Sequence, residues 1–408
     1  MDVFDPISSY LAKTHAAQTD FLAQLVKIPS DNPPGDCAAH AEQTAHMLEA
    51  MGFEVERHVV PEAEVKANGM ISVTNLVVRH RFAAEGPTIA LNAHGDVVPP
   101  GVGWTHDPYG AEIVDGWMYG RGVAVSKSDF ATYVFALRAL CASSLPLRGA
   151  VELHLTYDEE AGGEIGPGFL LREGISRPDF AIAAGFSYAV VNAHNGCLHL
   201  EVQVDGRSAH AAMPFTGVDA LQAASAALSV LYATRADLAG MVSKIPGIGS
   251  PQLTIGLING GINTNVVPDR ITFRLDRRMI PEENPQTVEA SLRQVISDAV
   301  ASVPGATVTL RRILLAEPLM PLPGSEALVE ALCQEASLIM GETISTTGVP
   351  LYTDARHYAA VGVPIVLYGA GPRSIEDANA HRADERLKLD DFYKATEIMA
   401  RALAKLLH

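Results

Sequence analysis

Cysteine is scarce: four occur in 408 residues, Cys37, Cys141, Cys197 and Cys333, and no two form a CxxC pair. That spacing offers neither a zinc ribbon nor a disulfide framework and leaves reduced thiols with a packing role. Long apolar runs are also missing. No stretch approaches the roughly 18 consecutive apolar residues of a membrane span. The N-terminus MDVFDPISSYLAKTH carries acids where a secretory leader would carry basic residues. Basic charge is short as well: 30 Lys and Arg stand against 47 Asp and Glu, a formal charge of −17. Such a surface opposes nucleic acid and anionic membranes. Together these absences predict a cytoplasmic protein whose partner is a small-molecule substrate.

What is present is the material of a globular fold, with 48% apolar and 19% charged residues and enough length for two domains at roughly 100–200 residues each. Residues 7–27 and 37–51 repeat apolar positions at helical spacing, TNLVV, PTIALNA, GAVELHLT and FAIAAG read as buried strands, and 127–144 reads as a helix. This alternation predicts an α/β layer structure with a mainly parallel sheet. From about residue 195 the pattern changes to strand CLHLEVQVDG, helix VDALQAASAALSVLY, strands QLTIGLI and RITFRLDRRMI, helix PQTVEASLRQVISDAV and strand ATVTLRRILL. That β-α-β-β-α-β order predicts an inserted ferredoxin-like domain over 195–314. Residues 1–194 and 315–408, ending in GVPIVLYGAG and the helix DFYKATEIMARALAKLLH, then form the catalytic domain.

Several segments place chemistry at strand ends, where open α/β sheets bind ligands. LNAHGDVVP puts His94 and Asp96 two apart after an apolar strand, on one side of an extended chain. A metal-bound imidazole held by a carboxylate has this form, and so does an ordinary polar turn. HLTYDEEAGG places Glu159 and Glu160 side by side. One could bind a cation and the other take a proton from water, or both could be a solvated acidic turn. His381 lies in AHRADERL, His210 in GRSAHAAMP and Asn265 in NTNVVPD. A histidine such as His210 suits an oxyanion, although Asn and Gly also gather in loops for backbone reasons. Arg356, in YTDARHY beside Asp354, is suited to clamp a substrate carboxylate, to cap a helix or to pair with Asp354.

Taken in order, HGDVVP, DPY, DGWMYGRG, DEEAGG, GRSAHAAMP, NVVPD, LDRRMIP and AHRADE resemble the M20 metallopeptidases, the family of acetylornithine deacetylase, succinyl-diaminopimelate desuccinylase and glutamate carboxypeptidase. The resemblance covers nearly the whole chain. It implies two metals joined by a bridging carboxylate, amide hydrolysis and at least a homodimer formed through the inserted lid domain. It also implies that His94 ligates one metal with Asp96 orienting it, that Glu160 and His381 ligate the other, and that Glu159 is the general base. The partner subunit's His210 would approach the reacting carbonyl. Apart from the resemblance, Asn265, Arg278 and Arg356 are candidates for a substrate carboxylate.

Two positions depart from the pattern. The family's bridging aspartate, in G-R-G-x-x-D-x-K, falls on Val125 of GRGVAVSK, and the acid of its GEP-type turn falls on Gly185. A two-metal site needs the bridge, which sets a separation of roughly 3.5–4 Å. The expectation is therefore one labile divalent ion, zinc, manganese or cobalt, held by Glu160 and His381 with His94 or the nearby Asp129 as a substitute acid. The alternatives are metal-free acid–base chemistry and a non-catalytic binding protein on the same fold. Within the enzyme reading, hydrolytic deamination of an unusual substrate such as an arylamine stands beside amide cleavage.

Overall fold

The computed structural model describes residues 3–408. The chain forms two compact units. The first runs to Asn192 and resumes over Pro321–Thr347 and Thr353–His408, and the second comprises Ala193–Met320 and Gly348–Tyr352. The second unit is wider than the 195–314 expected, because pairing continues past the last strand. His194 and Leu319 exchange backbone hydrogen bonds of 3.1 and 3.0 Å, and the Gly348 N–H reaches back to the Pro246 carbonyl at 2.7 Å.

In the first unit the helices are α1 (Asp5–Val26), α2 (Ala38–Ala50) and α3 (Glu62–Ala67), and the early strands are β1 (Val55–Val59), β2 (Thr74–Arg81) and β3 (Thr88–His94). Short strands β4 (Glu112–Val114) and β5 (Trp117–Tyr119) precede α4 (Lys127–Ala142), β6 (Ala150–Thr156), α5 (Pro167–Arg172), β7 (Phe180–Ala183) and β8 (Val190–His194). The second unit carries β9 (Gly196–Asp205), α6 (Ala220–Leu238), β10 (Gln252–Gly260), β11 (Arg270–Met279), α7 (Pro285–Ala301) and β12 (Thr307–Ala316). The chain closes with α8 (Glu326–Met340), β13 (Thr346–Val349), α9 (Ala355–Ala360), β14 (Ile365–Leu367), β15 (Arg386–Lys388) and α10 (Leu389–Leu406).

The large sheet has the order β1-β2-β6-β3-β7-β14-β8-β13. Its centre, β6-β3-β7-β14, is parallel, while β1, β2 and β8 join antiparallel. Every residue of β6 is buried, as is all of β3 after Thr88. This is why both read as unbroken apolar runs: layers cover each face, so no polar alternation is required. On one side α1, α4, α8 and α10 pack together, and α10 presents Phe392, Ala395, Met399 and Leu403 at helical spacing to the core.

The second unit is a four-stranded antiparallel sheet, β10-β11-β9-β12. Leu198, Leu200, Val202 and Val204 of β9 point into a core with α6 and α7, while His199, Glu201 and Gln203 alternate to the other face. Both helices start on side-chain caps: Asp219 accepts from Leu221 and Gln222 N–H, and Asn284 accepts from Thr287 N–H ahead of Pro285. This is the ferredoxin-like unit the element order predicts.

Leu155 is fully buried on β6 just before the acidic turn. Leu155→Ala is expected to cost roughly 2–5 kcal/mol of folding free energy, read as a lowered melting temperature and denaturant midpoint.

Candidate active site

Parallel pairing of β3 with β6 sets His94 opposite Thr156, so the residues that leave the two strand ends emerge side by side. Between His94 and Asp96 only glycine fits, because a Cβ on Gly95 would lie 2.5 Å from the Tyr157 ring. The His94 Nδ1–H donates to the Asp96 carbonyl at 2.9 Å and lies 3.4 Å from the Asp96 carboxylate. This orients the ring and leaves Nε2 facing Glu159 Oε2 at 3.9 Å.

The Asp96 carboxylate, with no exposure to solvent, also organises the acidic turn. It accepts from the Glu159 N–H at 3.2 Å, the Glu160 N–H at 3.1 Å and the Asn32 amide at 2.9 Å. Glu159–Ala161 is a single 3-10 turn, and it brings the donor atoms of His94, Glu159 and Glu160 within 4.8 Å of one another. His381 Nε2 lies 3.4 Å from Glu160 Oε1. That oxygen is buried and lacks a hydrogen-bond partner of proper geometry, as a carboxylate awaiting a cation would.

Charge crowding shows in the protonation equilibria. Burial pushes the Glu159 carboxyl up to about 7, with His94 pulling it down and Glu160 and Asp96 adding repulsion. Burial opposes charge on His94, but its contact with Asp96 and the fields of Glu159 and Glu160 win and raise it well above an ordinary histidine. The Glu160 contact raises His381. Asp158, buried behind the turn next to Asp96, is pushed up to about 8.

The two positions without ligands differ physically. At the glycine turn the Glu385 carboxylate, ion-paired to Arg121 at 2.6 Å, accepts the N–H groups of Gly122, Ala124 and Val125 at 3.1, 3.0 and 3.3 Å. The turn therefore keeps its shape, and the Ser126 hydroxyl lies 3.2 Å from the His94 N–H, but Val125 offers no donor atom. At Gly185 there is no room: a Cβ would lie 2.7 Å from Tyr368 N and 2.8 Å from the Leu367 carbonyl carbon. Gly371 N–H donates to the Gly185 carbonyl at 2.9 Å, sealing this approach.

The remaining expected residues have these places. Asp129 is fully buried at the start of α4 and accepts the Ala370 N–H at 2.7 Å, and it does not belong to the donor cluster of His94, Glu159 and Glu160. Arg356 is buried, and its guanidinium is directed at the Gly162 carbonyl and at Glu164. It is thus engaged inside the protein rather than offered to a ligand. In the second unit His210 is exposed and its Nδ1 accepts the Ala212 N–H at 3.1 Å, which leaves Nε2 to donate. Asn265 is exposed there and accepts the Ala211 N–H through its carbonyl at 3.0 Å. Arg278 is held by Asp276 at 2.9 Å and lies 5.8 Å from the Tyr352 ring centre. Cys197, His199 and Asp276 also converge, but the Arg278 guanidinium on Asp276 opposes a cation among them. Asn32 and Glu385 escape sequence reasoning, since their partners Asp96 and Arg121 lie far away along the chain.

An imidazole backed by an aspartate, with paired glutamates at the ends of parallel strands, defines a metal-assisted hydrolase. Residues 90–405 match the pattern of Peptidase family M20/M25/M40. The chain belongs to that family, and it is a metal-dependent hydrolase acting on carbon–nitrogen bonds. It is 27% identical to the succinyl-diaminopimelate desuccinylase of Rhodospirillum centenum over 93% of this chain and 95% of that protein. It is 28% identical to the acetylornithine deacetylase of Proteus mirabilis over 88% of this chain and 87% of that one. In fold it matches human carnosine dipeptidase 1 with a TM-score of 0.78 at 17% identity, over 100% of this chain and 99% of that one. No helix among the described residues is long and apolar enough to cross a membrane.

Asp129 generates a pH prediction. Burial pushes its carboxyl up to about 7 from an ordinary 3.8, so the folded chain holds the proton more tightly than the unfolded one. The stability it contributes is complete at about pH 4 and is lost as pH rises through about 7. Asp129→Asn keeps an acceptor for Ala370 and never ionises. It is expected to gain roughly 1–3 kcal/mol at about pH 8 and nothing at about pH 4, as read by melting curves. Destabilisation at pH 8 together with loss of bound cation would mark Asp129 as a ligand instead.

Proposed function

We propose that this protein hydrolyses the amide bond of a small acylated amino acid with a water deprotonated by Glu159, and that it uses one divalent cation rather than two. The observation that carries this reading is the convergence of His94, Glu159 and Glu160 donors within 4.8 Å, beside a Val125 that supplies no ligand and a Gly185 that has no space for one. His94 Nε2, Glu160 and His381 would hold the cation. When bound, zinc, manganese or cobalt would polarise the carbonyl and acidify a water. The names of the desuccinylase and the deacetylase relatives support an acyl group on an amino acid as the substrate class.

Glu159 has the properties of a general base. It is partly shielded, its proton affinity sits near neutrality, and it faces His94. It takes the proton of water as the C–O bond forms and returns it to the leaving amine as the C–N bond breaks. Asp96 holds His94 and both N–H groups of the acidic turn, so base and ligands keep one geometry. In a homodimer, the partner subunit's His210 would donate Nε2–H to the developing oxyanion. Arg278, fixed by Asp276, and Asn265 are the candidates for the polar end of the substrate.

The first test is metal content by mass spectrometry with titration of zinc and manganese into the metal-stripped protein. One ion per chain is expected in the wild type and in Glu159→Gln, and none in Glu160→Ala or His381→Ala. Two ions per chain would overturn the one-cation reading. With the ion bound, N-acyl amino acids and arylamines are offered side by side. Turnover of arylamines alone would sink the amide assignment.

Two kinetic outcomes follow from the base. Glu159→Gln is expected to lower kcat roughly 10²- to 10⁴-fold. The wild-type kcat/KM is expected to rise with pH along an acid limb at or below about 7, because the base must be unprotonated and a bound cation lowers its pKa further.

A further inference from the structure

We infer that Arg356 and His357 of α9 are positioning residues that hold the acidic turn from the side opposite Asp96. This rests on the reading of Glu159 as base and Glu160 as ligand. The turn ends at Gly162, in the left-handed region at φ +115°. Its carbonyl takes two donors from one short helix: the Arg356 guanidinium, and the His357 Nε2–H at 3.0 Å. A carbonyl can only accept, so His357 Nε2 carries the proton. Burial and the adjacent Arg356 push His357 down to about 4, so it stays neutral across the working range.

Close approach makes the arrangement possible. Gly163, at φ +74°, lies so near α9 that a Cβ on it would fall 2.2 Å from Asp354 Oδ1 and 2.7 Å from His357 Nε2. The helix in turn is tied to the sheet. Tyr358 and His154 Nδ1 share a hydrogen bond of 2.7 Å, and His154 Nε2 lies 3.1 Å from Glu152. Asp96 grips the N–H groups at the start of the acidic turn. Arg356 and His357 grip the carbonyl at its end, and the Glu159 and Glu160 side chains leave from between the two grips. An arginine in this sequence context suggests a clamp for substrate carboxylate. The geometry assigns the guanidinium to the backbone instead.

The experiment compares His357→Leu and Arg356→Met with the donor-retaining His357→Gln and Arg356→Lys in the metal-loaded enzyme, with folding checked by circular dichroism. Each apolar variant is expected to lose roughly 10- to 100-fold in kcat while KM changes less than about threefold. His357→Gln, whose amide N–H can reach the same carbonyl, is expected to recover most of the loss. Zinc affinity by calorimetry is expected to weaken about 10-fold in the apolar variants through displacement of Glu160. A rise in KM with kcat intact in Arg356→Met would restore the substrate clamp and overturn the inference. So would unchanged kcat and zinc affinity in the folded His357→Leu protein. If an apolar variant fails to fold, Arg356→Lys decides, because its shorter and unforked donor predicts an intermediate kcat. The zinc titration does not depend on Glu159 being the base. A fully active Glu159→Gln would refute the base assignment while the grip on the turn is still read through Glu160.

Discussion

The buried carboxylate of Asp96 is the constraint on which the site depends. A charge without solvent is tolerable only when its lone pairs are filled. Here Asn32 and the N–H groups of Glu159 and Glu160 fill them, with the His94 imidazole alongside. Three chain segments far apart in sequence are thereby drawn to one point. The same carboxylate that fixes the histidine also fixes the backbone carrying Glu159 and Glu160. Orientation of the imidazole and presentation of the glutamates are consequently not independent properties: a change at Asp96 would disturb both.

The conservation of shape at the glycine turn is a separate matter from the conservation of charge. Glu385 accepts the N–H groups of Gly122, Ala124 and Val125 there and neutralises Arg121, so the backbone of the turn is held independently of the side chain at position 125. Replacing a carboxylate with valine at that point removes a ligand without loosening the scaffold. It also removes one negative charge from a neighbourhood that already contains Asp96, Asp158, Glu159, Glu160 and Asp354. The strong upward displacement of Asp354, from burial first and then from Glu159 and Asp158, shows how little room for further negative charge remains without a cation.

The fold was legible wherever an element was long enough to carry a period. The parallel core strands β3 and β6, the order of the inserted unit and the terminal helix all follow from apolar spacing. The three-residue strands β4, β5 and β15 and the six-residue α9 are too short to show a period, and they were not anticipated. The residues His94, Asp96, Glu159, Glu160 and His381, which the structure brings together, could be singled out because each stands at the end of an apolar run or in a recognisable segment. The roles of Asn32 and Glu385 could not, since their partners Asp96 and Arg121 lie far away along the chain and nothing local marks them. Arg356 is the complementary case. Its residue type suggested a ligand clamp, a helix cap or a pair with Asp354, and its burial and contact with the Gly162 carbonyl become visible only in the fold.

Gly185 and Val125 are therefore unequal departures. Valine at 125 is a change of chemistry on an intact frame. Glycine at 185 is a requirement of the packing, since Leu367 and Tyr368 occupy the space into which any side chain would grow and Gly371 pairs with its carbonyl. An acid at 125 would replace a half-buried side chain already present, whereas any side chain at 185 would meet backbone, and backbone at the end of a buried strand moves only with the sheet. Asp129 adds to that closure from below by accepting the N–H of Ala370 in the same loop. Beside this closed side of the sheet stand the converging donors of His94, Glu159 and Glu160, with His381 3.4 Å from Glu160.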